Sequence, residues 1–201
     1  AAGSIMGVGF TWTRESGRYD FGLEPGMPGV SYVYAISSDG GIIAGSMYPN
    51  LGTPLLTRAY RRVGNGPLVD LGLVTGNTRA YARGMSGDGN TVVGGCEWGH
   101  ATSLNGQAFR WTPQGGMQGL GYARPGGQFS RALGVSLDGS TIVGESFTNL
   151  VSDAFIWRES TGIQALPRLP GPASNSWSRA SAVNSDGTVI VGDGDSPVTG
   201  T

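Results

Sequence analysis

Lysine is absent from this chain. All 13 basic residues are arginine, set against 14 acidic ones, and the net charge is −1. No global field therefore draws the protein to nucleic acid or to an anionic membrane. An arginine-only set suits planar, bidentate hydrogen bonding to carboxylates or sugars; a GC-rich coding sequence produces the same bias. The single cysteine, Cys96, excludes an internal disulfide framework. No apolar run approaches the length of a bilayer span, and the N-terminus lacks the charged-then-apolar order of a signal peptide; for an exported protein, that segment is expected to have been removed or to lie outside this sequence. The missing lysine also excludes a phosphate-binding loop. Charged residues are only 13% of the chain, which fits residues spent on strands and tight turns.

What is abundant is glycine, 37 of 201 residues without a Gly-X-Y period. That pattern excludes collagen and points to a turn-dense all-β chain. A repeat organises the glycines. AISSDGGIIAGS around Ile36, GMSGDGNTVVGG around Met85, GVSLDGSTIVGE around Val135 and AVNSDGTVIVGD around Val183 are four wordings of one stretch. Their Asp-Gly pairs begin at Asp39, Asp88, Asp138 and Asp186, in steps of 49, 50 and 48 residues. Self-similarity at such a period declares a repeat architecture. A second motif runs in step with the first: Gly9-Phe10-Thr11-Trp12, Ala59-Tyr60-Arg61-Arg62, Ala108-Phe109-Arg110-Trp111 and Ala154-Phe155-Ile156-Trp157. Each is followed, after a short turn, by a leucine: Leu23, Leu71, Leu120 and Leu166.

One unit reads as four strands. The first is a small-residue run such as Ala132 to Val135, and the second an apolar run such as Ile142-Val143. The third carries the aromatic motif, and the fourth ends near the leucine. Consecutive apolar residues in the second strand require cover on both faces. Asp-Gly is a hairpin signal, because both residues tolerate positive φ. Stacked four-stranded units of this length are the blades of a β-propeller. The sequence predicts an all-β, single-domain, four-bladed propeller over residues 1–201, with blades over about 32–72, 80–121 and 130–167. A fourth blade would close the ring from half-blades 7–23 and 178–193, one from each terminus. The rivals are an open arc of a larger ring and half of a dimer that closes together. Small residues at Ala35, Gly84, Gly134 and Ala182 suit close approach near an axis.

The pattern small-x-Ser-x-Asp-Gly-x-x-(Val/Ile)-x-Gly, then Ala-Phe-x-Trp, then Gly and Leu, resembles the bacterial extracellular repeat called the HAF family. The resemblance covers about Gly7 to Gly192, with Asn184 in place of the serine in the last copy. It implies secretion or surface display, within larger proteins in many cases, and carries no established activity. The Ser-x-Asp-Gly portion also looks like the Asp-box and TolB-type propeller repeats, where it builds blades and does not catalyse.

In an antiparallel blade the first-to-second and third-to-fourth turns share one face of the disc. The remaining connections share the other. On that second face the segments Gly45 to Ala59, Gly94 to Ala108 and Gly144 to Ala154 span 14, 14 and 10 positions. Variable loops on a rigid scaffold are where recognition usually resides. Candidate binding residues on this face are the aromatics Tyr48, Trp98, Phe147 and Trp177, with Tyr122 beside them. Tyr32, Tyr81, Arg131 and Arg179 join them, at equivalent points where the inner strands enter. Aromatics with arginine suit a glycan or a protein ligand through stacking and bidentate hydrogen bonds; the same side chains would equally plug a channel.

The other constellations are poorer. Asp39, Asp88, Asp138 and Asp186 sit one per repeat in turns. Cys96-Glu97-Trp98-Gly99-His100 supplies too few ligands for zinc, and Asp193-Gly194-Asp195 lacks the rest of a calcium loop. Neither a metal nor a cofactor is expected. A propeller-type polysaccharide hydrolase or lyase would need convergent carboxylates, whereas Glu97, Glu145, Asp153, Asp193 and Asp195 are scattered. The expected function is an extracellular or surface-displayed binding module, with the hydrolase or lyase and a structural spacer as alternatives. Neither nucleic acid nor membrane insertion is expected, and the sequence leaves the oligomeric state open.

Overall fold

The structure is a computed structural model that describes residues 7–21, 29–48, 56–97, 105–148, 151–168 and 177–195. Among these residues it is all-β, with sixteen strands in chain order. A two-stranded unit, β1 (Gly9–Thr13) and β2 (Gly17–Phe21), comes first. Three four-stranded antiparallel units follow. The first holds β3 (Val30–Ile36), β4 (Ile42–Tyr48), β5 (Arg58–Val63) and β6 (Val69–Asp70). The second holds β7 (Arg79–Met85), β8 (Val92–Glu97), β9 (Gly106–Thr112) and β10 (Gly116–Gly121). The third holds β11 (Phe129–Val135), β12 (Thr141–Phe147), β13 (Ser152–Arg158) and β14 (Gly162–Ala165). A second two-stranded unit, β15 (Ser178–Val183) and β16 (Ile190–Gly194), ends the series.

These five units stack as propeller blades do, with inner strands β3, β7, β11 and β15 as neighbours. The predicted four-blade closure does not occur. No backbone ladder joins β1 to β16 among the described residues; each half-blade remains its own two-stranded sheet. The arc is open, and its two half-blades occupy separate positions. Leu23 lies outside the described residues. Phe21 stands opposite Gly9, the place that Leu71 and Leu166 take by donating N–H to the carbonyls of Ala59 and Ala154.

The blade core explains the repeat. In the complete blades the second strand is buried on both faces, Val92, Val93, Ile142 and Val143 fully so. Tyr60, Phe109 and Phe155, the aromatics of the third strand, are also fully buried. Each faces a second-strand glycine across the ladder: Gly45, Gly94 and Gly144. A Cβ at Gly144 would lie 2.0 Å from the Arg131 carbonyl oxygen and 2.9 Å from the Phe155 ring, so no side chain fits. At the inner strands, a Cβ on Gly134 would come within 3.2 Å of Ala182 Cα, consistent with small residues near the axis.

The Asp-Gly segment is a side-chain-locked turn. Ser136 Oγ donates to Asp138 Oδ1 (2.5 Å) and accepts from Thr141 N–H (3.0 Å). Ser37 with Asp39 and Ser86 with Asp88 repeat this arrangement at 2.6 Å. In the last copy Asn184 accepts from Thr188 and Val189 N–H instead. The glycine after each aspartate has φ between +71° and +75°, a region that favours glycine. The turns are also tied to one another. Ser38 N–H donates to the Gly87 carbonyl (2.8 Å), Gly87 to Leu137 (2.8 Å) and Leu137 to Ser185 (3.0 Å). This chain of bonds holds one face of the arc rigid.

Two outcomes follow for the turns. Ser136→Ala leaves the buried Thr141 N–H without its acceptor and is expected to cost about 1–3 kcal/mol in urea unfolding. The serine hydroxyl first, then backbone N–H, lowers the pKa of Asp138 to about 2 from 3.8; Asp39, Asp88 and Asp186 are lowered too. A depressed folded-state pKa stabilises fully above the unfolded value and is lost as pH falls towards the folded one. The unfolding midpoint is therefore expected to drop between about pH 4 and about pH 2, and to drop less in Asp138→Asn.

Candidate functional site

The face opposite the Asp-Gly turns is where the inner strands begin. Cross-strand register places Tyr32, Tyr81, Arg131 and Arg179 at equivalent positions, opposite Ser46, Gly95, Glu145 and Asp193. Each inner strand carries a β-bulge two residues further on, between Val33 and Ala35, Ala82 and Gly84, Ala132 and Gly134, and Ala180 and Ala182. Bulges of this kind re-aim side chains and sharpen twist.

The candidates divide into separate groups. Tyr32, Tyr48 and Tyr81 come together, and Tyr34 joins them. Tyr32 stacks on Tyr34 with ring centroids 6.5 Å apart and meets Tyr48 edge-on at 5.8 Å. The guanidinium of Arg83 lies 5.7 Å from the Tyr34 ring centre. Burial first, then the neighbouring hydroxyls of Tyr81, Tyr34 and Tyr32, raises the Tyr48 pKa. Tyr32 and Tyr34 remain 42% and 48% exposed, so their rings are available to a ligand. Tyr34 and Arg83 did not stand out in the sequence, although the two-residue period of a strand puts them on the same face as Tyr32 and Tyr81.

The arginines behave differently. Arg131 is ion-paired with the buried carboxylate of Glu145 and lies 5.9 Å from the Phe129 ring centre; Phe129 in turn packs on Phe147 at 5.6 Å. Arg179 pairs with Asp193 at 2.9 Å. Arg131 lies beside Gly95, the residue opposite Tyr81: a Cβ there would come within 3.1 Å of the Arg131 Cβ. Trp177 stands apart, bridged to Ser152 and bonded through its N–H to Asp195 Oδ2 at 3.1 Å. Trp98 and His100 lie outside the described residues.

The scattered carboxylates acquire partners. Asp153 is fully buried and holds two arginines, Arg124 at 2.6 Å and Arg168 at 2.5 Å. It thereby pins the β10–β11 connection and the segment after β14 to β13. Cys96 lies in the core, and burial pushes its thiol up to about 11, unlike a reactive or metal-binding thiol. No group of three or more potential metal ligands occurs among the described residues. No helix among them is long and apolar enough to cross a membrane. Asp153→Ala leaves two arginines without their shared anion and is expected to destabilise by about 3 kcal/mol, measured by urea unfolding.

No family model matches the chain, and no curated protein matches it in sequence. Solved structures do resemble it. A TolB of Agrobacterium tumefaciens superposes with a TM-score of 0.55 at 15% identity, over 87% of this chain and 60% of that one. A chain from a study of two prolyl endopeptidases gives 0.55 at 15% identity, over 85% of this chain and 27% of that one. The chain thus spans less than two thirds of either neighbour. The likeness supports an all-β, propeller-like fold for this chain.

Proposed function

We propose that this protein is an extracellular or surface-displayed binding module built from HAF-type repeats, recognising a glycan through the face opposite its Asp-Gly turns. The observation that carries the reading is the gathering of Tyr32, Tyr34, Tyr48 and Tyr81 beside Arg83. Sugar rings present apolar C–H faces that stack on exposed aromatics, and their hydroxyls bond to tyrosine O–H and to guanidinium groups. Arg131 and Arg179 are engaged by carboxylates, so they shape the rim and orient the site more than they supply free charge. The pairing that engages those arginines also speaks against the hydrolase reading. Glu145, Asp153 and Asp193 each hold an arginine, whereas glycoside cleavage needs one carboxyl group kept protonated and another poised opposite it.

A protein ligand would use the same stacking surfaces, and a pure spacer would use none. A glycan array followed by fluorescence titration separates these readings. Tyr32→Ala and Tyr81→Ala are each expected to raise Kd about tenfold or more, the equivalent of about 1.4 kcal/mol. Leu137→Ser, on the opposite face, is expected to leave Kd unchanged. Retention of no glycan, or equal affinity in the tyrosine variants, would overturn the proposal.

A further inference from the structure

The three buried blade aromatics have a fourth counterpart. Phe10 occupies the position of Tyr60, Phe109 and Phe155 in the repeat, yet it is 51% exposed on β1, whose outer edge bonds to no strand among the described residues. Trp12, two residues on, is 64% exposed. At the far end of the arc the edge of β16 is likewise unpaired among the described residues, and Val191 on it is 58% exposed.

Beside that edge lies a groove of about 450 Å³. The repeat identifies what the groove is shaped to hold. Phe155 packs in a cluster that includes Ala108, Leu120, Ala132 and Ile142, above Gly144. One repeat further along, the equivalents are Ala154, Leu166, Ala180, Ile190 and Gly192, and all five line the groove. A Cβ on Gly192 would lie 2.0 Å from the Arg179 carbonyl oxygen, as on Gly144 it would from that of Arg131, but where Gly144 also meets the Phe155 ring at 2.9 Å, the three nearest atoms at Gly192 include no ring atom of a described residue. Across the blade interface, Arg110 of β9 lies 5.6 Å from the ring centre of Trp157. The equivalent of Arg110 in the third complete blade is Ile156, an apolar seat for a tryptophan at the position of Trp12.

We propose that the groove beside β16 is the seat of the β1–β2 half-blade of a second copy of this chain, with Phe10 over Gly192 and Trp12 against Ile156. The ladder follows the blade register. Gly144↔Phe155 and Val143↔Ile156 translate to Gly192↔Phe10 and Val191↔Thr11. The incoming unit brings its own next blade in the ordinary way, because Ser31 N–H already bonds to the Gly7 carbonyl and Ser31 Oγ accepts from Gly9 N–H. A single copy places the two half-blades at different positions in the arc, so one copy does not satisfy both. Among its described residues each copy holds three complete blades and two halves. Two copies joined at both ends therefore close a ring of eight, the upper end of the usual range of about 4–8 blades. Head-to-tail contacts that close give rings, and the symmetric pair is the smallest such ring.

Light scattering on the 201-residue chain is expected to give twice its 20.7 kDa mass. Phe10→Asp places a charge in the seat at a position that is half exposed in the single copy, and is expected to halve the measured mass with the β-sheet circular dichroism retained. Thr11→Cys and Val191→Cys, placed on separate chains and mixed under mild oxidation, are expected to form a disulfide between chains. A mass of 20.7 kDa at every concentration would overturn the proposal. So would failure of the mixed chains to cross-link, or exclusively internal cross-linking when both cysteines share one chain, which would mean that the arc closes on itself.

Discussion

The architecture depends on one close fit: an aromatic ring lying over a glycine in the neighbouring strand. Gly45, Gly94 and Gly144 have no room for a Cβ because the inner-strand carbonyl and the side chain of Tyr60, Phe109 or Phe155 take the space. The ring is fully buried there, and burying a phenylalanine contributes about 1.5–3 kcal/mol. Because the ring also packs on the alanines and leucine of the preceding blade, one residue joins two strands of its own sheet to the next sheet. Blade formation and blade stacking are therefore the same event, and the terminal half-blades are the places where that event is incomplete.

The two faces of the arc divide the work between rigidity and variation. On one face the Ser-Asp turns bond within themselves and then to one another, from Ser38 through Gly87 and Leu137 to Ser185. On the other, the equivalent inner-strand positions hold two tyrosines followed by two arginines, Tyr32, Tyr81, Arg131 and Arg179. The tyrosine half gathers exposed rings, whereas in the arginine half each guanidinium meets a carboxylate across the ladder. The surface is thus graded from aromatic to ionic along the arc. The proposed stacking ligand would sit at the first end.

Much of the blade was legible because it is written several times. The Asp-Gly turns, the doubly covered second strand and the aromatic third strand each follow from local periodicity, and repetition removes the ambiguity that a single copy would leave. Tyr32 and Tyr81 were legible as equivalent inner-strand positions for the same reason. What was hidden lies in register and in three-dimensional neighbourhood. The pairing of Arg131 with Glu145 depends on a ladder displaced by a bulge, and nothing in the residues around Leu133 announces that bulge. Asp153 looked like a stray carboxylate until two connections from different parts of the chain delivered Arg124 and Arg168 to it. Phe21 could not be told from Leu23 as the partner of the first aromatic strand, since both are apolar and two residues apart.

By itself the sequence determined the unit: four strands, a serine-locked turn and a ring over a glycine, since each rests on contacts within about 50 residues of chain. The closing of those units was decided by tertiary structure alone. Whether the first and last half-blades meet depends on the small rotation between successive blades, summed around the arc. That rotation is set by how tightly alanine, leucine and aromatic side chains pack between sheets, and no single repeat encodes the sum. In this chain β1 and β16 stand as separate edges among the described residues.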